Sequence, residues 1–154
     1  GPDDVTAVVC THLHVDHVGW NTQLLDGAWQ PTFPKARYLF GETEWAHWRV
    51  EPQIYGDVVG DSIQPCIDAG LAELVQSDMQ LNDAIRLEPT PGHTPGHHSV
   101  CISSGEKTRS SPVTSAIIPF NLNSLTGQAN LTSTNQLQLQ CAGVSLSDTA
   151  TITR

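Results

Sequence analysis

Residues 11–17 read Thr11-His12-Leu13-His14-Val15-Asp16-His17, an H-x-H-x-D-H run. Further along, Thr90-Pro91-Gly92-His93-Thr94-Pro95-Gly96-His97 supplies two more histidines. Four metal-preferring side chains thus fall within six positions of the first run. Imidazole and carboxylate are ligands suited to zinc and similar divalent ions. His12 and His14 are two residues apart, a spacing that points both side chains one way on an extended backbone and apart on a helix. The preceding Val5-Thr6-Ala7-Val8-Val9-Cys10 is an apolar, β-branched run that reads as a buried strand. The loop therefore opens at a strand end, where α/β folds place ligands. Asp16 and His17 are adjacent and diverge, so they need not serve the same ion as His12 and His14. The bland alternative is a set of core or surface histidines with no ligand role.

The combination resembles the metallo-β-lactamase superfamily of metal-dependent hydrolases over roughly residues 3–107. Val18-Gly19-Trp20-Asn21 and Phe33-Pro34-Lys35-Ala36-Arg37-Tyr38 are more similar to its lactonase and organophosphate-hydrolase-like branch than to the antibiotic-degrading enzymes. The resemblance implies an α/β fold, the αββα sandwich of that family, incomplete in this chain. It implies two divalent cations, zinc first among them. His12, His14 and His93 would hold one, and Asp16 and His17 the second, with Asp16 counted also as catalytic. His97 would orient a ligand or cap its loop through a hydrogen bond. Ions about 3.5–4 Å apart share a water and lower its pKa toward ~7, and the resulting hydroxide attacks a carbonyl or phosphoryl centre. The ions also stabilise the charge that develops on oxygen, so no serine or cysteine nucleophile is required. The implied partner is a small-molecule lactone or other ester. A thioester hydrolase of the glyoxalase II type is the competing enzyme reading. Trp20-Asn21 in place of a second glycine, and the tryptophan-rich stretch that follows, speak against it.

Composition bounds the rest. The chain has 154 residues, enough for one domain, with a net charge of −9 and a pI of about 4.9. That acidity argues against nucleic acid and against an anionic membrane surface as partners. No apolar stretch approaches the ~20 residues of a membrane span. Cys10, Cys66, Cys101 and Cys141 show no C-x-x-C spacing, and free buried thiols in a reducing, cytoplasmic setting are the expectation. The opening Gly1-Pro2-Asp3-Asp4 is not a natural initiation and is expected to lie inside a longer parent; the resemblance implies two or more strands before the H-x-H-x-D-H loop.

Local patterns predict the elements that position the loops. Val18–Leu25 is expected as a short helix carrying Trp20, Leu24 and Leu25, followed by an Asp26-Gly27 turn. Arg37–Phe40 reads as a strand and Glu42–Val50 as a helix with Trp45 and Trp48 on one face, packed in the core or lining a substrate mouth. Asp57–Ala69 reads as a helical stretch interrupted by Pro65 and stopped by Gly70. Leu71–Val75, Ala84–Glu88 and Ser99–Ile102 are strand-like, and Ser104–Lys107 is a hairpin-like turn. His98 opens a strand and His47 lies in a helix, both structural or exposed.

Residues 1–108 thus read as a partial metallo-β-lactamase-like domain. From residue 109 the character changes: 22 of the last 46 residues are Ser, Thr, Asn or Gln and only three are charged. Such sequence has little with which to build a core and reads as disordered, as a natural polar tail, or as translation out of frame. The family expects a strand ending in Gly-Asp here, whose aspartate bridges the two metals, then often His-His-Pro. The genetic code permits both one frame away. Pro112-Val113-Thr114 as CCG-GTG-ACG contains GGT-GAC, and Ala116-Ile117-Ile118-Pro119 as GCC-ATC-ATC-CCA contains CAT-CAT-CCC. We therefore expect a one-base loss or two-base gain near Thr108. Re-reading the source DNA from the codon for Gly105 to that for Gly127 checks this, and an unchanged read would contradict it. On this reading the chain as translated is expected to lack the bridging carboxylate and the last histidine ligand that the resemblance implies. A non-catalytic fragment holding one ion or none is accordingly the alternative to an active hydrolase.

Overall fold

The computed structural model describes residues 1–52, 54–103 and 117–120. In chain order its elements are β1 (Ala7–Cys10), α1 (Val15–Val18), β2 (Thr22–Leu25), β3 (Ala28–Pro31), β4 (Arg37–Gly41), α2 (Glu42–Trp48), α3 (Val58–Ser62), α4 (Gln64–Asp68), β5 (Ala72–Val75), β6 (Ile85–Pro89), β7 (His98–Ile102) and β8 (Ile117–Phe120). The main sheet runs β5-β4-β1-β8. β1 lies parallel to β4, and β4 to β5, while β8 closes the other side antiparallel to β1. β2 with β3 and β6 with β7 form two antiparallel hairpins.

All four residues of β1 are buried, as its unbroken apolar run requires of a strand covered on both faces. Alternation then divides the core. Val8 and Cys10 of β1, with Tyr38 and Phe40 of β4, face a cluster completed by Leu13, Val18, Phe33, Val58, Ile63 and Cys66. Val9 and Leu39 face the opposite way, onto Val75, Ile85, Leu87 and Val100. One face of the sheet therefore carries helices α3 and α4, and the other carries the β6–β7 hairpin. This is an α/β layering, part of the expected sandwich.

Two expectations are corrected. Val18–Leu25 is not a helix: α1 ends at Val18, and Thr22–Leu25 is the first strand of a hairpin. The Asp26-Gly27 turn decides this. Both residues have positive φ, 50° and 81°, the geometry of a tight two-residue hairpin turn, and that closes Leu25 against Ala28. Trp20, Leu24 and Leu25 are exposed, so they never formed the buried helical face that their apolarity suggested. The second correction is small. The helical stretch breaks at Ile63 instead of Pro65, and Pro65 sits in the first turn of α4. A proline there gives up no intrahelical hydrogen bond, whereas inside a continuous helix it would. The other expected strands and the α2 helix stand within one or two residues of their reading.

Trp45 and Trp48 pack against the helix-side core cluster. Cys10, Cys66 and Cys101 are free and buried. No helix among the described residues is long and apolar enough to cross a membrane. Within residues 109–154 only β8 is described, so the tail and reading-frame expectations lie outside the described residues, as do the Ser104–Lys107 turn and Cys141.

Tyr38 ties the layers beneath the first loop. Its buried hydroxyl donates to the Asn21 carbonyl (3.0 Å) and accepts from the Phe33 amide (2.9 Å). Tyr38→Phe strands that amide and is expected to destabilise the fold by about 1–3 kcal/mol. Urea unfolding measures it, and an unshifted midpoint would contradict the role.

Candidate metal centre

β1 delivers His12 directly from its C-terminal end, and the backbone remains extended as far as His14 (φ −68°, ψ 152°), where α1 begins. The loop between β6 and β7 delivers His93 from the other layer of the sandwich. One ring nitrogen from each of His12, His14 and His93 lies within 4.8 Å of the other two. His14 Nδ1 is 3.0 Å from His93 Nε2. Two nitrogens on one tetrahedral zinc ion stand roughly 3.4 Å apart, a separation of the same order as those of this trio. His12 supplies the clearest sign of fit. Its Nδ1 contacts Thr11 Oγ1 at 3.0 Å, which leaves Nε2 facing the cluster. That Nε2 is buried without a hydrogen-bond partner among the described residues. A buried polar atom left in this state is costly unless something else satisfies it.

The other candidates lie beside the trio. The His17 ring centroid is 4.2 Å from that of His12, and His17 Nε2 is 3.2 Å from Asp16 Oδ2. Asp16 is on α1 with a largely exposed carboxylate and does not join the three-nitrogen group. His97 stacks 5.1 Å from His12, centroid to centroid, and its Nδ1 contacts Thr90 Oγ1 at 2.8 Å. His98 is buried at the start of β7, where its amide donates to the Thr11 carbonyl and ties the two loops at their base. His47 lies 3.6 Å from Glu51 and is not part of the three-histidine group.

Burial sets the protonation of the site. It holds His12 down at about 3, with the neighbouring imidazoles of His17, His14, His97 and His93 adding to the effect. His14 and His17 are also lowered, by burial first. Neutral imidazoles are the metal-binding form. Burial moves the thiols of Cys10 and Cys66 the other way, up to about 12, so neither is a thiolate at neutral pH.

One residue of the site went unread in the sequence. Glu44, in the first turn of α2, is fully buried. Its Oε2 accepts from the Leu13 amide (3.1 Å) and from Trp48 Nε1 (2.8 Å), and its Oε1 accepts from the Gly96 amide (2.8 Å). The available signal was faint: Glu44 shares a helix face with Trp48, four residues on, where a solvated glutamate would not be expected. Gly96 is part of the same joint. A Cβ there would stand 2.5 Å from the Glu44 backbone nitrogen and 2.9 Å from Thr43 Cβ. Gly96→Ala must therefore push the second loop off α2, at an expected cost of about 1–3 kcal/mol. Denaturant unfolding checks this, and wild-type stability would show that the loop yields freely.

The comparisons with known proteins bear on the family and the fold. The family model described as metallo-beta-lactamase superfamily matches residues 1–109. An N-acyl homoserine lactonase of Bacillus cereus is 30% identical over 105 residues, covering 66% of this chain and 34% of the relative. The chain thus spans about a third of the length of the curated relatives it matches. Among solved structures, the hydrolase AbOPH superposes with a TM-score of 0.56 at 22% identity, covering 69% of this chain and 39% of that one. The dizinc quorum-quenching lactonase AidC superposes with 0.55 at 21% identity, covering 70% and 40%. Those two likenesses speak for the fold. With its family model matched over residues 1–109 and its sequence similar to the lactonases, the chain belongs to the metallo-beta-lactamase superfamily.

Proposed function

We propose that this chain carries the metal-binding face of a metal-dependent hydrolase that opens lactones or related esters. The carrying observation is the buried, unpartnered Nε2 of His12 within ligand distance of His14 and His93. In this reading His12, His14 and His93 hold one divalent ion, zinc by preference for this donor set. Asp16 and His17, whose side chains meet at 3.2 Å, would serve a second, with Asp16 the catalytic carboxylate of this reading. Bound ions of this kind acidify water and polarise a carbonyl. Asp16 and His14 also line an open cavity of about 260 Å³ with Val15 and Tyr55. Val15 and Tyr55, both exposed, give that cavity an apolar rim. An acylated lactone suits such a rim, and the likeness to N-acyl homoserine lactonases makes that class the first to assay.

The test is ring opening of an N-acyl homoserine lactone series, with aryl esters beside it, by the zinc-loaded full chain in a pH-stat. Turnover that chelation removes and His93→Ala lowers at least about 100-fold is expected. Turnover indifferent to both would overturn the reading. One observation favours a second reading, binding without turnover: Asp16 faces His17 itself, and the three-histidine group is the only ligand group of this size among the described residues. It predicts one ion per chain and no hydrolysis.

A further inference from the structure

Glu44 belongs to neither histidine loop, yet it is hydrogen-bonded to both. Its Oε2 receives the amide of Leu13, the residue between His12 and His14. Its Oε1 receives the amide of Gly96, three residues after His93. Its third donor, Trp48 Nε1, belongs to a ring that packs edge-on against His14 with centroids 5.0 Å apart. A fully buried carboxylate is expensive unless its lone pairs are used, and here donors reach it from three directions. Neither loop is held to the other by a strand ladder at this point: β6 and β7 pair with each other, and β1 pairs with β4 and β8. Besides the His98 amide on the Thr11 carbonyl at the base and the His14–His93 ring contact inside the site itself, Glu44 bridges the two loops by hydrogen bonds.

We propose that Glu44 is a positioning residue for the metal centre: it fixes the separation and orientation at which His12 and His14 on one loop meet His93 on the other. This rests on the metal-centre reading above. The hydrogen-bond pattern makes a specific demand. All three partners are N–H donors, so the clamp needs two acceptor oxygens. Glutamine fills the same volume but offers one. Whichever way its amide turns, an NH2 group faces a backbone or indole N–H, and one loop is released.

The experiment compares zinc affinity, by chelator competition, and the visible spectrum of the cobalt(II) form for the full-length wild type, Glu44→Gln, His93→Ala and Glu42→Gln. Glu42 is an exposed residue of the same helix and serves as control. Glu44→Gln is expected to keep the wild-type far-ultraviolet circular dichroism. Its zinc affinity should fall about 10–100-fold, and its cobalt bands should shift in position and intensity. Glu42→Gln should match wild type in both. Wild-type affinity and spectrum in folded Glu44→Gln overturn the proposal, even where its melting temperature is lower, because a merely structural residue behaves that way. If Glu44→Gln does not fold, Glu44→Asp takes its place: it keeps the charge but is too short to reach both loops, and the same weakening is expected. Loss of fold in both variants also overturns the proposal, since Glu44 would then serve folding. Failure of the underlying reading looks different. It appears as no metal binding by wild type, or as unchanged binding by His93→Ala, and it takes the proposal down with it.

Discussion

His12→Ala is expected to abolish tight zinc binding, lowering affinity by more than about 100-fold. Partners that only support a ligand are worth roughly 10–100-fold in metal affinity, so loss of a ligand itself should exceed that range. His12 is the member of the trio whose loss should be hardest to replace. His93 is exposed and His14 half-buried, so water can stand in for either. His12 is 1% exposed, and water has little access to the atom it presents. Elemental analysis and chelator competition on the purified variant measure the effect. Undiminished zinc content in both His12→Ala and His93→Ala would remove these residues from the ligand set.

The second large effect concerns acid. In the metal-free protein burial holds His12 at about 3 and His98 at about 4. His14 and His17 are lowered as well. Glu44 acts in the opposite direction on His14 and His98 without overcoming burial. In the unfolded chain these groups titrate near ~6.5. Below that value the unfolded state binds protons that the folded state refuses, so unfolding becomes easier as pH falls. The contribution is fully present above ~6.5 and is lost down to the folded values, at up to about 1.4 kcal/mol per pH unit for each buried histidine. His12 and His98 together remove roughly 2–3 kcal/mol for each such unit, a large share of a typical domain stability of about 5–15 kcal/mol. The chelator-treated chain should therefore unfold at mildly acid pH, about 4–6, and zinc should move that midpoint downward because it binds only the neutral imidazoles. Circular dichroism during acid titration, with and without zinc, measures both. Stability that stays flat between about pH 7 and pH 5 would contradict the buried-neutral assignment.

What could be read from the sequence follows from how local each cause was. β1 was legible because an apolar, β-branched run covered on both faces has one use, and β4 because its Tyr38-Leu39-Phe40 is an aromatic and aliphatic run of the same kind. The two histidine loops were legible because ligand-type residues crowd into a few positions beside turn formers. The β2–β3 hairpin was misread because Trp20, Leu24 and Leu25 are apolar but exposed, so their spacing mimics a helix face that buries nothing. The outward clue, Asp26-Gly27, was seen as a turn but not as one that demands strands on either side. Glu44 was invisible for a different reason. Its role lies in contacts with Leu13, 31 residues before it, and Gly96, 52 residues after it, and no local pattern encodes those. The requirement for glycine at position 96 is equally non-local, since the obstacle is the backbone of α2.

The most direct test of the metal centre is X-ray absorption at the zinc edge of the loaded full-length chain. The account predicts a first shell of nitrogen and oxygen at about 2.0–2.1 Å, with imidazole scattering that fits three histidines and diminishes in His12→Ala. A shell of sulfur at about 2.3 Å, or a spectrum without imidazole features, would contradict it.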